Sequence, residues 1–123
     1  MNVATTIARI LLGLLFTAAG AMQFLITNPP AQPGLAGTFT EVFIHSHWAL
    51  FIGAAQLAIG LLLLANRYVT IALIMLAAFL YNSFAFHITM APSALPAPVI
   101  VLALGLLVAL KYRSNFAQLV RVP

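Results

Sequence analysis

The sequence predicts an all-α protein, four transmembrane helices packed as an antiparallel bundle, and three observations carry that reading. Of its 123 residues, 64% are hydrophobic and only 5% charged, with a mean hydropathy of +1.14, whereas about a quarter of an ordinary soluble chain is charged. Four apolar runs are each long enough to cross a bilayer, which takes about 20 helical residues. The joins between them are either very short or rich in proline, which removes a backbone donor and stops a helix. The whole chain reads as a single transmembrane domain whose first partner is the lipid bilayer.

The first span runs from about Ala4 to Ile26. Arg9, the apolar run from Ile10 and the small residues Ala19, Gly20 and Ala21 would also suit a cleaved signal peptide. Hydrophobicity continues through Met22, Phe24, Leu25 and Ile26, further than a signal core needs, so the segment is read as a span. "NPPAQPG" (28–34) then ends it. Thr38 and Glu41 match the S/T-x-x-E capping box, which predicts a helix start at Thr38. Leu35, Phe39 and Phe43 fall near one side of that short helix, which would lie on the outer membrane interface before the second span.

The second span extends from about His47 to Ala65, with Trp48 at headgroup depth, where aromatic rings concentrate. Only Asn66 and Arg67 separate it from the third, about Tyr68 to Met90, so the two form a tight hairpin. "APSALPAP" (91–98) closes the third span. It places Pro96 and Pro98 in the first turn of the fourth, about Pro96 to Tyr112, where a missing N–H costs little.

Charge sets the expected orientation. An even number of crossings puts Arg9, Arg67, Lys111, Arg113 and Arg121 on one face, while residues 27–46 and 91–95 carry no lysine or arginine. That face is expected to be cytoplasmic, with both termini inside. Glu41, His45, His47 and His87 then lie toward the outer surface. Five scattered cations make no stripe for nucleic acid, so nucleic acid is not an expected partner.

The chemistry available is narrow. Without cysteine the chain has no thiolate nucleophile, no disulfide exchange and no iron–sulfur ligands. One glutamate, no aspartate and histidines at the rim supply no nucleophile with a positioned base, so catalysis by this chain alone is not expected. His45-x-His47 lacks the companions that structural zinc requires, and no metal site is expected. A haem between His87 and His45 or His47 would need a wider cavity than four short helices leave.

Polar residues inside the spans are more informative, because they are costly in lipid. Gly13, Gly20 and Gln23 share one face of the first span, and Gly53, Gln56 and Gly60 share one face of the second. Small residues let two backbones approach and let a side-chain amide reach across. At 1.5 Å per residue Gln23 lies about 21 Å above Arg9, and Gln56 and Asn82 lie about 16 and 22 Å above Arg67. Ser83 and His87, four apart, can touch on one turn.

"ARILLGLLFTAAGAMQFL" (8–25), "GAAQLAIGLLLLANRYVTIAL" (53–73) and "YNSFAFHITMAPSALP" (81–96) together resemble the DoxX family of small four-helix membrane proteins, and "VALKYRSNFAQLV" (108–120) fits one branch of it. The resemblance covers nearly the whole chain in order. It implies a four-helix bundle in the bacterial cytoplasmic membrane with both ends inside, in the setting of quinone-dependent oxidoreductase systems such as a thiosulfate:quinone couple. Asn82 and His87 match the pattern. Many relatives carry lysine where this chain has Gln23 and glutamate where it has Gln56; here two neutral amides stand in place of a buried ion pair.

The expected site is therefore an outward-opening pocket lined by Gln23, Gln56, Asn82 and His87. It would hold a quinone as part of an accessory subunit of a membrane oxidoreductase. A non-catalytic scaffold docking on protein partners, or on further copies of itself as a homo-oligomer, is the alternative. A carrier of a small neutral or lipid-like solute is a third, although the broken helices and internal symmetry of secondary transporters are missing.

Overall fold

Each apolar run becomes a helix. The structure is a computed structural model describing residues 2–28 and 30–121. Helix α1 (Val3–Leu25) is capped by Asn2, whose side-chain oxygen accepts the Thr5 N–H at 2.8 Å. Helix α2 (Gly34–His45) is followed by α3 (Trp48–Ala65) and α4 (Val69–Met90). A 3-10 turn at Pro92–Ala94 leads into α5 (Pro96–Lys111), and a seven-residue α6 (Arg113–Leu119) follows. No strand occurs among the described residues. Helices α1, α3, α4 and the stretch from Pro92 to Lys111 are long and apolar enough to cross a membrane, and they mark a multi-pass membrane protein.

One local expectation is overturned. Helix α2 begins four residues before Thr38, after Pro33, so Thr38 does not cap it. The Thr38 hydroxyl instead donates back to the Gly34 carbonyl at 3.3 Å, as threonines within helices do. Glu41 is therefore mid-helix. Pro33 explains the earlier start, since its fixed backbone sits well just outside a helix and Gly34 accepts the strained first position with φ +72°. The stretch "EVFIHSHWALF" is thus the end of α2, a turn at Ser46 and His47, and the first turn of α3.

The two tight reversals need left-handed residues. His47 has φ 68°, and Asn66 and Tyr68 flank Arg67 with φ 56° and 52°. Histidine and asparagine tolerate this region better than most residues, whereas tyrosine is strained there.

The first and second spans meet most closely. A Cβ added to Gly20 would lie 2.7 Å from the Gly53 carbonyl oxygen, and one added to Gly53 would lie 2.6 Å from Gln23 Cβ. Gly60 faces the Thr17 backbone, and Gly13 faces Leu64. Contacts thus run in opposite chain order along α1 and α3, on the glycine faces the spacing predicts. Around this seam Leu12, Phe16, Ile59, Leu63, Leu76 and Val108 form the buried core. Of the four spans, the stretch from Pro92 to Lys111 is the least covered, with 17% of its apolar window buried against 39% for α1.

Most of the basic residues gather at one end. Arg9, buried in α1, donates to the Leu63 carbonyl near the end of α3, where a cation meets the negative end of the helix dipole. The Tyr112 hydroxyl reaches Asn66 Oδ1 at 3.5 Å and Asn115 donates to Thr70 Oγ1 at 2.9 Å, joining the α3–α4 reversal to the end of α5 and the start of α6. Arg67, Lys111 and Arg113 therefore share an end with Arg9.

Candidate functional site

At the opposite end of α1, the glycine seam that brings α1 onto α3 also brings Gln23 to Gln56. Gln23 Nε2 donates to Gln56 Oε1 at 3.4 Å, so the contact expected from the two spacings forms. Gln56 is 5% exposed, and this is its one hydrogen bond among the described residues, leaving its amide nitrogen without an acceptor. Reversing both amides would change which atoms are free but not the count. The pair uses one donor and one acceptor between them and leaves the rest to be met from elsewhere.

Both amides line an open cavity of about 410 Å³ between α1, α2, α3 and α4. Its polar side is completed by Asn82, Ser83 and Thr40. Its walls are aromatic: Phe39 and Phe43 from α2, Trp48 from α3, and Phe79 and Phe86 from α4. Phe39 stacks on Phe43 with centroids 5.5 Å apart, and Phe39 meets Phe86 at 5.0 Å. Trp48 stands edge-on to Phe43 at 5.4 Å, and Phe79 is anchored edge-on against Phe16 at 5.2 Å. Helix α2 is in this way fastened over the cavity by rings. An apolar cavity of a few hundred Å³ with a few convergent amides suits a small planar molecule bearing hydrogen-bonding oxygens.

Three of the four expected residues, Gln23, Gln56 and Asn82, line this cavity. His87 is not among its lining residues. The imidazole folds back along α4, with Nδ1 2.7 Å from the Ser83 carbonyl and 3.4 Å from the Ser83 hydroxyl, while its ring stands edge-on to Phe86 at 5.1 Å. It backs two residues that do line the cavity. Asn82 donates to its own helix, to the Ala78 carbonyl at 3.0 Å, which leaves its side-chain oxygen free.

The aromatic wall was the part sequence reasoning missed. Its signal was present: Phe79, Asn82 and Phe86 recur at three and four on the α4 face that carries Ser83, and Phe39 and Phe43 recur at four on α2.

His45 and His47 belong to a neighbouring chamber of about 470 Å³ with Thr27 and Leu50, which shares Gln23 and Ile44 with the aromatic cavity. No group of three or more His, Cys, Asp or Glu side chains is gathered among the described residues.

No family model matches this chain, and neither the curated proteins nor the solved structures give a match.

Proposed function

We propose that the protein is a DoxX-like integral membrane protein that binds a quinone between its helices, as an accessory subunit of a membrane oxidoreductase rather than a catalyst itself. On this reading it is an antiparallel four-span bundle in the bacterial cytoplasmic membrane with both termini inside. The reversed order of contacts between α1 and α3 supports the antiparallel arrangement. The gathering of Arg9, Arg67, Lys111 and Arg113 at one end supports the orientation, because basic residues stay on the cytoplasmic side.

The observation that carries the reading is the Gln56 amide. Its side chain is almost fully buried and its N–H groups lack an acceptor, at the wall of a cavity built of aromatic rings. The amide nitrogen borders the cavity with no acceptor among the described residues, so it is free to donate to a ligand there. A quinone carbonyl is the complementary acceptor, and its flat ring matches the faces of Phe39, Phe86 and Trp48. Asn82 and Gln23 flank the same space and would orient the ring.

Trp48 is the chain's one tryptophan and lines the cavity, so its emission reports directly on occupancy. Titration of the purified protein with a short-tailed quinone should quench Trp48 saturably. Gln56→Leu should weaken binding about tenfold or more, as loss of a buried hydrogen bond predicts. Quenching that never saturates, or an unchanged affinity in both Gln56→Leu and Gln23→Leu, would overturn the assignment. A Gln23→Leu/Gln56→Leu double variant that keeps its partners and function would instead favour the scaffold reading, with the amides serving only to pack helices.

A further inference from the structure

We propose that the cleft between the start of α1 and the end of α5 binds the headgroup of an anionic phospholipid of the leaflet on that side. The cleft measures about 380 Å³ and is lined by Asn2, Thr5, Leu107, Leu110, Lys111 and Arg113. This inference is independent of the quinone cavity, which lies at the other end of α1.

The donors of the cleft are uncompensated. Lys111 and Arg113 make no ion pair among the described residues, and the chain's one acidic side chain, Glu41, is on α2 far from this end. Lys111 rests only over the Tyr112 ring, 5.3 Å from its centroid. Asn2 commits its side-chain oxygen to Thr5, accepting from the backbone N–H at 2.8 Å and the hydroxyl at 2.9 Å. Its amide N–H groups have no acceptor among the described residues. Ammonium, guanidinium and amide donors line one cleft with no carboxylate among the described residues to answer them, which is the complement of a phosphate, an acceptor-only group.

A lipid phosphate fits better than a free one because of the rest of the lining. Leu107 and Leu110 form the other wall, and Leu110 is 60% exposed on the last apolar turns of α5. The cleft therefore straddles the boundary between hydrocarbon and headgroups. Cations there attract anionic lipid, each strengthening binding about fivefold.

The test is native mass spectrometry of the purified protein titrated with palmitoyl-oleoyl phosphatidylglycerol and, separately, phosphatidylcholine. Phosphatidylglycerol should be retained in preference. Lys111→Gln/Arg113→Gln should weaken its retention about 25-fold, the product of two such charges. Lys111→Arg, which keeps the charge, should retain it. Arg67→Gln/Arg121→Gln removes the same formal charge elsewhere and should change retention less than about threefold, against the roughly 25-fold expected at the cleft. Circular dichroism checks that each variant is folded. Equal retention of the two lipids, or equal loss in the two double variants, would overturn the site, and so would displacement of the lipid by inorganic phosphate.

Discussion

At the scale of single residues, Gln56 and Tyr68 show two kinds of unmet demand. Gln56 has amide donors without acceptors among the described residues at the cavity wall, and its replacement by leucine should leave the fold intact while removing ligand affinity. His87 bonds to Ser83, stands edge-on to Phe86 and does not line the cavity, so His87→Ala should shift quinone affinity by a smaller factor than Gln56→Leu in the same Trp48 titration. Tyr68 holds a left-handed backbone with a bulky, largely exposed side chain. Tyr68→Asn should therefore raise the thermal midpoint, with roughly 1 kcal/mol of backbone strain relieved. The contact between the two glutamines was legible in the sequence because glycine spacing fixes which faces meet. The contact of His87 with Ser83 was legible in the same way, from a spacing of four; that His87 then lies off the cavity lining was not, because spacing does not say which neighbours a side chain leaves.

At the scale of elements, the interface between α1 and α3 is set by absent side chains. Gly53→Ala would press a methyl against Gln23 and the Gly20 carbonyl, and should destabilise by about 1–3 kcal/mol as overpacking does. Gly105→Ala meets only the end of the Leu76 side chain at 3.2 Å and should be close to neutral in the same thermal melt. The four long helices could be read to within one residue at each end because hydropathy bounds them, helped by proline around α5. The start of α2 could not, since a capping motif competes with Pro33, and proline plus a left-handed Gly34 sets the boundary first. The short α6 was also not anticipated; its seven residues have too little periodicity to stand out.

At the scale of the whole molecule, the segregation of charge predicts sidedness. The chain has no native cysteine, so single substitutions give clean labels. A membrane-impermeant thiol reagent added to intact cells should modify Leu35→Cys, on the exposed side of α2, and should spare Asn66→Cys at the α3–α4 reversal until the membrane is opened. Labelling in the reverse order would invert the topology. The spans also differ in reach: the 23 residues of α1 extend about 34 Å and the 18 of α3 about 27 Å, against a hydrocarbon thickness of roughly 30 Å. Since the glycine seam prevents the two from sliding independently, the mismatch falls on the surrounding lipid, through tilt of the longer rod or local thinning beside the shorter one. Acyl-chain length should therefore alter the protein's stability, and its melting temperature across bilayers of graded thickness should peak on the thin side of the series.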